Sequence, residues 1–144
     1  FYGKDDKVLK FHNSSDNIWN DAANEQCIGY IDSVNNGQTV IWSFNSTEET
    51  YVRLSLEHSK NKPGLRFDST WTLTFNDEEF FTEGSTSPEN GGYADYTFST
   101  VAYVKAKVGK NTFKMVHAST QGYNIRSLNV VYQNGNIEIA QAER

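Results

Sequence analysis

Along most of this chain apolar residues recur at every second position, and almost nowhere at helical spacing. Val52, Leu54 and Leu56 fall on one parity, with Tyr51, Arg53, Ser55 and Glu57 on the other. A pleated strand points successive side chains to opposite faces, so this pattern predicts a strand with one face buried. Trp71, Leu73 and Phe75 alternate with Thr72, Thr74 and Asn76 in the same way. The run from Thr39 to Phe44 is rich in β-formers and follows the turn pair Asn36-Gly37. Later strands are expected with Phe98, Thr100 and Ala102 on one face, with Phe113 and Met115 inward after Gly109-Lys110-Asn111, and with Leu128, Val130 and Tyr132.

The breakers come at regular intervals: Asn35-Asn36-Gly37, Lys62-Pro63-Gly64, Pro88 to Gly92, Gln121-Gly122 and Asn134-Gly135. Many short strands so punctuated predict an all-β, two-sheet antiparallel β-sandwich of jelly-roll type. The sole helix candidate is a turn at residues 21–26. Residues 136–144 read as either a last edge strand, with Ile137 and Ile139 alternating, or the start of a linker. At 144 residues the chain fits one domain with a real core, residues 1–144. It opens at Phe1 rather than Met, as a segment excised from a larger multimodular protein would.

Composition excludes several functions. A net charge of −5 argues against nucleic acid, because phosphate binding needs a basic face. No apolar run reaches membrane-spanning length, so no membrane partner is expected. The lone Cys27 cannot form an internal disulfide; beside Ile28 it reads as a small buried hydrophobe.

Catalysis finds little support. Glu48-Glu49 and Asp77-Glu78-Glu79 are acidic, but adjacent acids on a strand point to opposite faces and do not form a catalytic pair. They read as solvated turns. His12, His58 and His117 lack metal-ligand spacing, and His58 shares the buried parity of Leu56. The protein is therefore expected not to be an enzyme. Asn13-Ser14-Ser15 and Asn45-Ser46-Thr47 match the N-glycosylation pattern, which arises easily in an Asn-rich chain.

The aromatics, 14% of the chain, carry more information. Trp42 and Trp71 lie inside β-runs and read as core. Of Phe80 and Phe81, at least one should be buried. Trp19 stands in a polar stretch without strand pattern, where an indole either caps the core edge or meets a ligand. Tyr93 follows Gly91-Gly92, which offer little bulk to cover it, and Tyr30 follows Gly29 similarly. Both read as exposed rings in turns, and rings with one polar edge suit a wet binding surface.

Four segments in order resemble the family 6 and family 35 carbohydrate-binding modules and their galactose-binding-like relatives. Gly29-Tyr30-Ile31-Asp32 with Asn36-Gly37-Gln38-Thr39-Val40 is similar to the family's Gly-Tyr/Phe-Ile-Asp-Asn-Gly-Asp-x-Val segment. Gly91-Gly92-Tyr93 with Tyr96-Thr97-Phe98 is similar to Gly-Gly-Trp-x-x-Trp. Gly109-Lys110-Asn111-Thr112-Phe113 is similar to its Gly-x-Asn-x-hydrophobic hairpin. Asn124-Ile125-Arg126-Ser127-Leu128-Asn129-Val130 is similar to the closing Asn-Ile-Asp-Tyr-Ile-x-Val.

The resemblance implies a sugar ring stacked between Tyr30 and Tyr93 with its hydroxyls bonded by Asn124, and with Trp19 bordering the same loop-edge cleft. It implies non-catalytic binding of a glycan or polysaccharide, linkage in cis to a glycoside hydrolase or surface-anchoring module, and a secreted or cell-surface location. The alternative is a structural or protein-binding sandwich whose loops present Tyr and Trp to a protein. The family's structural calcium is expected to be absent. The first strand here reads Val8-Leu9-Lys10-Phe11-His12, and Arg126 stands in the place of the ligating Asp. Lys10 and Arg126 offer no carboxylate oxygen and repel the ion. Tyr93 in place of a Trp leaves the sugar itself open.

Overall fold

The computed structural model describes residues 18–20, 26–31, 39–59, 71–80, 96–117 and 123–142, with side chains from residue 39 onward except those of Tyr123 and Ala142. The strands, in chain order, are β1 (Ile18–Asn20), β2 (Gln26–Ile31), β3 (Thr39–Ser46), β4 (Thr50–Ser59), β5 (Trp71–Phe75), β6 (Glu78–Phe80), β7 (Thr97–Ala106), β8 (Gly109–His117), β9 (Tyr123–Tyr132), β10 (Ile137–Ile139) and β11 (Gln141–Ala142). They form two antiparallel sheets. One is six-stranded in the order β1-β2-β9-β4-β7, with β10 also on β9; the other is five-stranded in the order β11-β3-β8-β5-β6. This is the expected all-β sandwich. No helix occurs among the described residues, so none there is long and apolar enough to cross a membrane.

The alternation read from the sequence explains the core. Val52, Leu54 and Leu56 from one sheet meet Trp42, Leu73, Phe113 and Met115 from the other, all buried. Trp42 and Trp71 are core residues as expected, and Phe80 packs half-buried against the core with its ring 6.0 Å from that of Phe113. At about 25 cal/mol per Å² of apolar surface, burial of such side chains is the main drive to closure of the two sheets.

One parity expectation fails. Phe98 is 50% exposed, whereas Ser99 and Val101 are buried, as is Ala102. The cause is a slip in the β4–β7 ladder. Leu54 pairs with Ala102, but the next residue, Ser55, pairs with Thr100. Val101 is thus the extra residue of a bulge, and alternation reverses across it.

The turns at one end are tightly capped. Asn76 and Asp77 have φ of 48° and 68°, the conformation of a two-residue type I′ hairpin that favours Asn, Asp and Gly. The Asn76 N–H donates to the Thr112 carbonyl (2.8 Å), and the Thr112 N–H donates to Asn76 Oδ1 (2.9 Å). Asn111 is fully buried beneath the β7–β8 turn. Its Oδ1 accepts from the Lys107 N–H (2.9 Å) and from Asn76 Nδ2 (3.0 Å); its Nδ2 donates to the carbonyls of Lys107 (2.9 Å) and Gly109 (3.1 Å). One amide therefore ties two turns together.

The tail forms an edge strand rather than a linker, and then a second one. β10 pairs with β9 in one sheet, and β11 pairs with β3 in the other. Between them Ala140 is buried, and its N–H donates to the Leu128 carbonyl (3.0 Å).

Candidate functional site

The short described connections lie at one end of the sandwich: residues 47–49, 76–77, 107–108 and 133–136. The opposite end collects the last residues of β2, β4 and β8 and the first residues of β3, β5, β7 and β9. The longer segments between strands begin and end there, which is where a rigid sandwich ordinarily carries its recognition residues.

At this end the interior turns polar. His58, Ser59, Ser99, Asn124, Ser127 and His117 are all buried. His58 Nε2 lies 2.8 Å from Ser99 Oγ, as the parity of His58 with Leu56 implied, and the His117 ring meets the edge of Trp71 at 5.1 Å. Ser127 Oγ donates to Glu57 Oε1 (3.2 Å). Buried polar groups persist where partners satisfy them, and such networks fix geometry more than they add stability.

The expected site residues fall as follows. Asn124 is the second residue of β9, opposite Ser59 of β4, and only 5% exposed. Tyr30 is in β2. β2 meets β9 at Ile28↔Ile125 and Ile31↔Tyr123, with a slip between: three steps along β2 match two along β9. Gly29 and Tyr30 thus share the stretch opposite Asn124, and the register brings these two predicted residues together. Tyr30 is in a strand rather than the expected turn; Gly29 lies inside β2 at the irregular pairing, which glycine accommodates as readily as a turn. Trp19 lies in β1, opposite Cys27 of β2, rather than in a loop. Its short strand takes its pairing from β2, a tertiary contact that the local pattern does not encode. Tyr93, Phe81, Lys10, the first strand at Val8 to His12 and most of the residue 21–26 turn lie outside the described residues.

Arg126 has a defined role in this frame. Glu57 pairs with Ser127, but the next residue, His58, pairs with Ile125, so Arg126 is the extra residue of a second bulge. Its guanidinium carbon sits 3.6 Å from the centre of the Tyr96 ring, a close cation–π contact. Bulges concentrate beside functional sites because they re-aim side chains. Among the described residues no group of three or more His, Cys, Asp or Glu is placed to hold a metal ion.

Among the described residues, two shallow depressions lie elsewhere. One, of about 260 Å³, sits at the turn end among Asn45, Thr47, Glu48, Asn134, Asn136 and Glu138. The Tyr132 hydroxyl donates to Glu138 Oε2 (2.8 Å) at its edge, and burial, followed by that bond and the nearby negative charge, pushes the phenol up to about 12. The other, of about 220 Å³, opens on the outer face of the six-stranded sheet between Tyr51 and Tyr103. The sequence marks Tyr51 as outward-facing. It does not single out Tyr103, although the inward parity of Ala102 puts that ring on the solvent side.

The fold is that of the family 35 carbohydrate-binding modules. A module of that family solved with a glucuronic-acid-containing disaccharide, Xyl-CBM35, superposes with a TM-score of 0.66 at 18% identity, over 93% of this chain and 94% of that one. A family 35 module from an environmental isolate gives 0.66 at 21% identity, over 94% and 95%. The GH26–CBM35 β-(1,4)-mannanase of Podospora anserina gives 0.59 at 13% identity, over 92% of this chain and 27% of that larger one. No protein-family model and no curated protein matches the sequence.

Proposed function

We propose that this chain is a non-catalytic carbohydrate-binding module that holds an attached glycoside hydrolase or surface protein on a glycan. The sugar lies at the end of the sandwich defined by the start of β9. Tyr30 and Tyr93 flank its ring, Asn124 bonds its hydroxyls, and Trp19 borders the cleft. The observation that carries this reading is the β2–β9 register, which sets the Gly29–Tyr30 stretch opposite Asn124 on a fold shared with sugar-binding modules. The fusion of a similar module to a mannanase supports linkage in cis.

Two partial stacks and a few hydroxyl hydrogen bonds, less ordering costs, give a Kd on the order of 0.1 to 1 mM. Such a module raises the local concentration of its partner enzyme on the substrate rather than lowering a barrier. By the resemblance, Lys10 and Arg126 stand in the region of the family's calcium ligands and offer no carboxylate, so calcium addition or chelation is expected to leave Tm unchanged. The test of the site is isothermal titration against a glycan panel with wild type and Tyr93→Ala. Wild-type binding abolished in Tyr93→Ala supports the site; equal binding by both refutes it.

A further inference from the structure

We infer that Arg126 is a positioning residue for the proposed sugar site: its guanidinium clasps Tyr96 and so fixes the chain that leads from Tyr93 into β7 against the start of β9, where Asn124 lies. The inference rests on the proposed function for the ligand and for Tyr93; the clasp itself stands on the geometry of the described strands. β9 and β7 are not neighbours, because β4 lies between them. At the loop end Asn124 pairs with Ser59 of β4, and Thr97 pairs with the adjacent His58. The ladders are antiparallel, so Tyr96, one step before Thr97, comes level with Ser59 on the side away from Asn124. With strands about 4.8 Å apart, the Asn124 and Tyr96 backbones stand roughly 10 Å from one another across the sheet.

The Arg126 side chain closes that gap. Arg126 is the extra residue opposite Glu57 and His58, and a bulge takes its side chain out of the regular alternation. The guanidinium carbon lies 3.6 Å from the centre of the Tyr96 ring, the contact distance of a flat cation laid on a ring face. Both residues are half-buried, so the contact is partly desolvated and stronger than one in open water. The core supplies little to replace it. Around Ile125 the buried residues of β4, β7 and β9 at this end are His58, Ser59, Ser99, Asn124 and Ser127. Polar contacts, more than apolar burial, therefore set where the strands enter the sheet. A planar guanidinium stacks on a ring in a way that an ammonium does not.

Tyr93 stands three residues before Tyr96 in the chain, so covalent reach alone keeps it within about 11 Å of a clasped Tyr96. With the clasp closed, the tyrosine that stacks and the amide that bonds the hydroxyls are presented together, and the sugar does not have to order them. With the clasp open, the sugar binds only in the fraction of molecules that bring the two together, and apparent affinity falls by that fraction. A half-buried cation–π contact biases such an equilibrium roughly three- to tenfold. Arg126 acts here through Tyr96 without touching the sugar.

Isothermal titration with mannohexaose, xylohexaose and cellohexaose compares wild type with Arg126→Gln, Arg126→Lys, Tyr96→Leu, Tyr96→Phe and the double variant Arg126→Gln/Tyr96→Leu. Upfield ring-current shifts of the Arg126 side-chain protons report the clasp in the absence of sugar. For a hexaose that wild type binds, Arg126→Gln and Tyr96→Leu are each expected to weaken binding about three- to tenfold. The double variant is expected to lose no more than either single one, since both break the same contact. Tyr96→Phe keeps the ring and should stay within about twofold of wild type, with Arg126→Lys between the extremes. A variant set that lowers Tm and leaves Kd unchanged shows a merely structural contact and overturns the inference. Weakening by Arg126→Gln without weakening by Tyr96→Leu puts the guanidinium on the sugar itself and also overturns it, as does the lack of a ring-current shift in wild type. Wild type failing to bind all three hexaoses is a separate result: it sinks the sugar reading for β-1,4-linked chains, and this inference with it.

Discussion

Asn111→Ala should cost this domain about 2–3 kcal/mol, although the residue touches no ligand and packs little apolar surface. The side chain makes four hydrogen bonds of 2.9 to 3.1 Å, two as acceptor and two as donor. At about 1 kcal/mol net for each bond the loss is near ~4 kcal/mol. Lys107 is exposed and can recover water on its own N–H and C=O, which reduces the total. Asn111→Asp separates hydrogen bonding from shape. The carboxylate keeps one oxygen where Lys107 N–H and Asn76 Nδ2 point, but sets the other against two carbonyl oxygens in a buried place. At neutral pH it should destabilise at least as much as alanine. The introduced acid has its folded pKa raised above the unfolded value, so its stability returns as pH falls below the folded value and is lost as pH rises. Urea unfolding followed by tryptophan fluorescence measures each variant, with the slope checked for constancy. A loss below about 0.5 kcal/mol for alanine, or an aspartate variant equal to wild type at pH 7, refutes the assignment of Asn111 as the clasp of the two turns.

Three further outcomes rest on other parts of the fold. Asp77→Gly, at φ 68°, should raise stability by about 0.5–1 kcal/mol in thermal melts, because glycine takes that conformation without a Cβ clash. Tyr132, with its phenol raised from 10.0 to about 12, contributes stability that is full below pH 10 and lost as pH climbs toward 12. At ~1.36 kcal/mol per pH unit the ceiling is ~2.7 kcal/mol, and solvent screening of this half-exposed group brings the expected loss to ~1 kcal/mol. Alkaline urea titrations should show it in wild type and not in Tyr132→Phe. Met115→Ala, in the centre of the core, should cost about 2–5 kcal/mol by chemical denaturation, since a close-packed interior does not collapse fully into the space left.

The sandwich was legible because its strands carry their burial in parity. Val52-Leu54-Leu56 and Phe113-Met115 face inward as their spacing says, and the indoles of Trp42 and Trp71 close the core. What the sequence hid are the slips. A bulge depends on what two strands do together, so Val101 and Arg126 look like ordinary strand residues until their partners are known. Trp19 and Tyr30 read as loop or turn residues because glycine and polar neighbours serve both turns and irregular strands. Local pattern does not separate the two, whereas pairing with β2 and β9 does. Of the residues named by the resemblance, Tyr30 and Asn124 lie on paired strands, β2 and β9.

The crossing of the tail between sheets gives the domain a mechanical seam. β11 holds β3 by two residue pairs, and β10 holds β9 by three. A force drawn on the chain at Ala142 meets those pairs one after another, as a zip fastener opens, before it reaches β9, which β4 grips from Asn124 to Tyr132 save at the Arg126 bulge. A domain loaded from that end yields first in two short, low-force steps, while the two packed sheets stay shut.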